Sequence, residues 1–172
     1  SRLLDGRLFQ SNYLLNRFTF RAFNTLYYRR ALRRRSRRTV GVEPFFFQLD
    51  SVANWNRLYG SRGFYQYQFV VPPDPGRAAV RAALTEIAES GLPSFLGVIK
   101  EFGGTANGMI SFPIPGVTVA VDFPNVGERL GSLLRRLDDL VSEAGGRVYL
   151  AKDTRLARET FRRMYPEWER WK

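Results

Sequence analysis

In the run Phe64–Val71, Gln66 and Gln68 stand two residues apart, and in the run Phe95–Phe102, Lys100 and Phe102 do the same. Both runs are apolar and aromatic enough to be strands, and side chains two apart on a strand share a face. Two amides, an ammonium group and an aromatic ring on one surface could bind a polar ligand through hydrogen bonds and charge. The same pattern also suits a sheet that simply faces water, and the residues alone leave both readings open. Other chemistry is excluded outright. The chain has no cysteine and no histidine, which removes disulfides, thiolate nucleophiles, cysteine-ligated metals, and Ser-His-Asp or zinc hydrolases.

The elements that must position these residues follow from punctuation and periodicity. Pro72-Pro73 ends the first strand. Asp74 as N-cap and Pro75 at the first helical position open a helix over 76–90 with an apolar stripe of Val80, Leu84 and Ile87, closed by Gly91. Phe95–Phe102 is a second strand, 103–116 a long loop or hairpin, and Val117–Phe123 a third strand. Asn125 and Glu128 have capping-box spacing for a helix over 126–144, with a stripe of Val126, Leu130, Leu134, Leu137 and Val141. Gly145-Gly146 stops it. Arg147–Ala151 is a fourth strand, and a last helix runs from near Thr154 to Tyr165.

The order β-α-β-β-α-β is the split β-α-β of ferredoxin-like folds. The expected class is therefore α+β: a four-stranded antiparallel sheet with helices on one face, preceded by a helical, basic arm. On the third strand Thr118 and Ala120 oppose Val117, Val119 and Val121. Each of the first three strands thus has one apolar side and one polar or small side.

The net charge of +11 has a location. Residues 1–42 hold eleven arginines and one acid, while 43–172 hold sixteen basic and fifteen acidic residues. Basicity belongs to the arm (1–43) and not to the domain (44–172), which argues against a nucleic-acid-binding protein as a whole. Leu8, Tyr13, Leu14, Phe18, Phe20, Phe23, Leu26 and Tyr27 recur at roughly helical spacing. Arginine-rich residues 29–38 follow, either as a solvated helix end or as a surface for anionic lipid. Phe45–Phe47 reads as a short β-type run, and Trp55–Gly60 as a turn or short helix. No apolar run is long enough to span a bilayer, and Arg2, Asp5 and Arg7 interrupt any signal-peptide core. The absence of an initial Met reads as a trimmed chain or an internal fragment.

Specific strings then carry a resemblance. Trp55–Gly60, Gly63–Pro72, Ser94–Gly103, Ser111–Gly116, Val121–Pro124, Gly146–Arg155, Glu159-Thr160-Phe161 and Met164-Tyr165-Pro166 resemble the C-terminal substrate-binding domain of the decaprenylphosphoryl-β-D-ribose 2′-oxidases. These are bacterial FAD-linked oxidases of the vanillyl-alcohol oxidase superfamily. The resemblance covers residues 45–166 and is weak before them. It implies that Gln66, Gln68 and Lys100 line a sugar-phosphate site, that Leu96, Val98 and Phe102 form its apolar wall, and that Lys152 lies near the flavin as the catalytic cation. Ala120 stands where the family carries a cysteine, so thiol-requiring covalent inhibitors should not react. Thr118 and Gly97 stand where asparagines are usual.

What the resemblance implies further is an oxidoreductase that uses FAD to oxidise a sugar hydroxyl, the 2′-OH of a polyprenyl-phosphate ribose, in the synthesis of arabinan precursors for the cell wall. The family's N-terminal FAD-binding domain is missing, so the chain alone should be inactive. Partners would be that domain, the polyprenyl-phosphate sugar, an epimerase or reductase, and an anionic membrane surface met by residues 29–38. Localisation would be bacterial, cytoplasmic or peripheral to the inner membrane. Oxidation of another sugar, alditol or aldonolactone is an alternative. So is a non-catalytic module that binds membrane or nucleic acid through its arm.

Overall fold

The computed structural model describes residues 4–5, 17–30, 39–47, 52–53, 61–94, 96–104, 106–153 and 155–172. The chain divides into two compact units, Ser1–Gly63 and Phe64–Lys172.

In the first unit, β1 (Leu4–Asp5), α1 (Arg17–Arg30), α2 (Val42–Phe46) and β2 (Val52–Ala53) follow in order, and β1 pairs with β2 in parallel. Of the helical pattern read from Leu8 to Tyr27, the part from residue 17 onward lies in α1, with Phe18, Leu26 and Tyr28 exposed, while Leu8, Tyr13 and Leu14 lie outside the described residues. Residues 31–38, most of the basic run, lie outside the described residues, as do residues 55–60. The β-type reading of Phe45–Phe47 is corrected. The Phe45 N–H donates to the Gly41 carbonyl and the Phe47 N–H to Glu43, which are helical bonds. Glu43 and Pro44 explain the turn, because an acid and a proline both suit the first turn of a helix.

The second unit holds β3 (Phe64–Val71), α3 (Pro73–Ser90), β4 (Gly97–Phe102), β5 (Gly116–Pro124), α4 (Glu128–Glu143), β6 (Arg147–Val148), α5 (Arg158–Met164) and α6 (Trp168–Trp171). The sheet order is β4-β5-β3-β6 and every pair is antiparallel. This is the ferredoxin-like α+β arrangement that the element order implies. One face of the sheet carries Tyr67, Phe69, Val71, Val119, Val121 and Phe123, packed against Ala79 and Ala83 of α3 and Leu130, Leu133, Leu134, Leu137 and Val141 of α4. Burying each such leucine contributes about 2 kcal/mol.

Three local readings need correction. Asp74 is extended (φ −123°, ψ 115°) before a cis Pro75, and no side-chain cap forms, so regular helix begins at Gly76. Of the expected α3 stripe, Val80 and Ile87 pack against the core, whereas Leu84 is 38% exposed and the buried positions are Gly76, Ala79 and Ala83. Small residues let the helix axis approach the sheet closely, whereas a leucine there would hold it away. At α4 the N-cap is Gly127, and Asn125 Oδ1 accepts the Gly127 N–H (3.3 Å), so the capping box does not form. The α4 stripe itself is as expected, with Leu133 added.

Candidate functional site

The face of the sheet away from α3 and α4 is set by pairing register. Gln66 lies opposite Asp122, Gln68 opposite Ala120 and Val70 opposite Thr118. Across β5, Ala120 faces Val98, Thr118 faces Lys100 and Gly116 faces Phe102. The Asp122 N–H donates to the Leu96 carbonyl (3.1 Å), extending the register by one residue. All seven sheet residues expected at the site, Gln66, Gln68, Leu96, Val98, Lys100, Phe102 and Ala120, therefore occupy one face. Lys100 is exposed and the other six are half-buried.

The two glutamines are held in defined orientations. Gln66 Nε2 donates to Asp122 Oδ1 at 3.0 Å, and a carboxylate can only accept, so the Gln66 carbonyl oxygen must point the other way. The Thr118 hydroxyl donates to the Phe69 carbonyl (2.8 Å), which leaves its oxygen only accepting capacity. Gln68 Nε2 fills that capacity at 3.2 Å, so the carbonyl of Gln68 is likewise free among the described residues. The surface thus offers two amide acceptors, fixed by the acceptors beneath them, which take the Gln66 and Gln68 NH₂ groups. Such a pair suits ligand hydroxyl groups.

Lys152 reaches this region by a departure from the expected strand. The ladder of β6 with β3 covers only Arg147 and Val148, corrected from Arg147–Ala151. The Tyr149 N–H still donates to the Gln68 carbonyl (2.8 Å). Regular register would then place Ala151 opposite Gln66. Asp153 stands there instead: its N–H donates to the Gln66 carbonyl (3.3 Å), and its Oδ2 accepts the Gln66 N–H (2.9 Å). Two extra residues are thus accommodated in a turn, closed by the Lys152 N–H on the Tyr149 carbonyl (3.2 Å). The turn sets Lys152 Nζ 5.9 Å from the centre of the Tyr149 ring. Among the described residues neither Lys100 nor Lys152 forms an ion pair.

Asp122, Tyr149, Asp153 and Phe112 escape the sequence reading. Asp122 is 1% exposed, and its Oδ2 has no hydrogen-bond partner among the described residues. Burial raises its pKa, opposed by the Gln66 hydrogen bond and the nearby charge of Lys152 and assisted by Asp153. Its position was readable, since 118, 120 and 122 share parity; its burial was not. The loop after β4 folds back so that Phe112, 5% exposed, stacks on Tyr149 (4.6 Å between ring centres) and meets Phe102 edge-on (5.9 Å). Arg147 Nη1 ties that loop down through the Ser111 carbonyl (2.7 Å). The face is therefore graded along the strands. It has amides and charge at the Gln66–Asp122 end, a shallow middle at Ala120, and aromatic rings at the Phe102 end.

No family model matches the chain. Over 93% of its length it is 43% identical to the decaprenylphosphoryl-beta-D-ribose oxidase of Mycolicibacterium smegmatis, and the match covers 34% of that protein. Over 51% of its length it is 37% identical to an uncharacterized protein in the mprA 5′ region of Streptomyces coelicolor, covering 24% of that protein. The chain thus spans about a third of the first relative and less of the second. The resemblance carried by the strings from Trp55 to Pro166 extends over nearly the whole chain. This chain is a relative of that oxidase.

Proposed function

We propose that this chain, as kin to that oxidase, is the substrate-binding portion of an FAD-dependent oxidoreductase acting on a sugar hydroxyl, the 2′-OH of a polyprenyl-phosphate ribose. The observation that carries the reading is the grouping of half-buried Gln66 and Gln68 with exposed Lys100 on the face away from α3 and α4, both amide carbonyls being free among the described residues. The gradient of that face supports the substrate class. Same-face residues on a strand lie about 6.6 Å apart and neighbouring strands about 4.8 Å apart, so Lys100, one to two rows along and two strands across from Gln66 and Gln68, would meet the phosphate of a sugar that lies diagonally over β5. A prenyl tail would continue over Phe102 and Phe112.

The donor set suits a flavin brought against the Ala120–Val98 region, where the surface is low and two cations border it. FAD, when bound, supplies the acceptor for the hydride that leaves the carbinol carbon. Lys152 takes up or relays the hydroxyl proton and stabilises negative charge developing on that oxygen. Leu96, Val98 and Phe102 exclude water. Among the described residues Gly103-Gly104 follows β4 and Gly145-Gly146 follows α4, and neither opens a helix. The flavin pyrophosphate would therefore be held by an FAD-binding domain outside this chain.

The test is anaerobic mixing of the flavin-loaded enzyme containing this chain with a polyprenylphosphoryl ribose. Flavin absorbance should bleach, Lys152→Ala should slow bleaching at least 100-fold, and the chain alone should be inert. Undiminished bleaching in the Lys152 variant would reject the assignment of that lysine. Bleaching only by alditols or aldonolactones would move the substrate. A membrane role for the arm is a second proposal, favoured by the exposed Phe18, Leu26 and Tyr28 beside Arg21 and Arg29. Deleting residues 1–42 should then abolish sedimentation with anionic vesicles.

A further inference from the structure

We infer that Asp122 is a positioning residue for the sugar site: its buried carboxylate forces the Gln66 amide to present its carbonyl outward as the acceptor for a substrate hydroxyl. The inference rests on the sugar-binding reading of the face and deepens it. A carboxylate is an expensive residue to bury on a sheet, and this one is almost completely covered, with one oxygen on Gln66 Nε2 and the other unpartnered among the described residues. Two rows along on the same strand, Thr118 does the corresponding task for Gln68 with a neutral hydroxyl that both donates and accepts. A neutral group therefore suffices to hold an amide here. What a carboxylate adds is dependence on a proton.

While ionised, Asp122 has no proton to give, so only one of the two Gln66 orientations is bonded. Once protonated it can donate to the Gln66 carbonyl as well, and the amide is free to turn its NH₂ group to the ligand side. Burial favours the protonated form, whereas Gln66 and Lys152 favour the ionised form and Asp153 opposes it. Among the described residues these are the groups that bear on Asp122. The outward polarity of Gln66 is thereby tied to one proton, and to Lys152, which helps to hold that proton off.

The test uses the 172-residue chain labelled with nitrogen-15 and ribose 5-phosphate as probe. In the free chain, the Gln66 side-chain amide resonances should move with pH in a single step above the ordinary carboxylate range. That step should vanish in Asp122→Asn and shift upward in Lys152→Met. With ribose 5-phosphate at about pH 7.5, Asp122→Asn should weaken binding about tenfold, the amount of one hydrogen bond. Gln66→Ala should weaken it equally, and combining the two should add nothing, because Asp122 acts only through Gln66. Thermal midpoints identify any variant that fails to fold, and Gln66→Ala alone then still reports the acceptor.

Binding left unchanged by Asp122→Asn, or a further loss on adding Asp122→Asn to Gln66→Ala, would overturn the role while leaving the sugar site standing. A pH step at Gln66 with no ribose 5-phosphate shifts in the wild type would instead remove the sugar reading, and the role with it.

Discussion

Asp138 offers a stability experiment whose sign changes with pH. It lies on the face of α4 that meets the sheet, is 6% exposed, and accepts the Tyr67 hydroxyl at 2.8 Å. Desolvation pushes its carboxyl up to about 6; the Tyr67 bond opposes the rise and neighbouring Asp139 adds to it. Because the folded value lies above the unfolded one, the folded state holds the proton more tightly. The stability contributed by Asp138 is then fully present below about pH 3.8 and is lost as pH rises through about 6. The shift is about two pH units, or about 3 kcal/mol of lost stabilisation by pH 8.

Asp138→Asn removes the ionisation and keeps a carbonyl for the Tyr67 hydroxyl. Its NH₂ group needs a new partner, at a cost of about 1 kcal/mol. The variant should therefore be more stable than wild type by about 2 kcal/mol at pH 8 and less stable by about 1 kcal/mol near pH 4. Urea unfolding followed by tryptophan fluorescence at both pH values reads the difference directly. Equal destabilisation at both would refute the reasoning, since it would mean that the ionised carboxylate costs nothing where it sits.

Three further outcomes are expected. Gly116→Ala should destabilise by about 3 kcal/mol in thermal unfolding, because Gly116 has φ +147° and an added Cβ would strike the Val71 carbonyl. Thr118→Val should cost about 2 kcal/mol by removing the bonds to Phe69 and Gln68; the untethered Gln68 should also weaken ribose 5-phosphate binding several-fold. Ala120→Cys should create a half-buried thiol in the middle of the site, alkylated by iodoacetamide and protected by ribose 5-phosphate; labelling indifferent to the sugar phosphate would place the ligand elsewhere.

Much of the fold was legible because it is written in short-range pattern. Strand Phe64–Val71 has its residues as read, Gly91 closes α3 in the left-handed conformation (φ 64°), and the leucine stripe of α4 meets the sheet. Period-two alternation put Gln66, Gln68 and Lys100 on one side without any knowledge of partners. What was not legible depends on distance in three dimensions. Counting large apolar residues favours Leu84, but the closeness of α3 to the sheet selects Ala79 and Ala83. The early end of β6 is set by Asp153 clamping the backbone of Gln66, a contact across 87 residues. Asp122 has the right parity, yet a lone acid in a strand reads as solvated until its neighbours are seen to cover it.

The same strand β3 serves both faces, and this explains the cross-links around it. Tyr67 and Phe69 must point under the helices for Gln66 and Gln68 to lie on the opposite face, so a slip of one residue would bury both amides and expose both rings. Positions on both faces are tied by more than the ladder itself. Tyr67 is held by Asp138, the carbonyl of Phe69 by the Thr118 hydroxyl, and both backbone groups of Gln66 by Asp153. Gly116 adds a stop at the far end, since only glycine fits against Val71 there. These ties differ in chemistry and come from α4, from β5 and from the turn after β6. No single substitution releases the register, whereas each one loosens the residue beside it. Losses of ligand affinity from Thr118 or Asp153 variants should accordingly exceed what their cost in stability alone would produce.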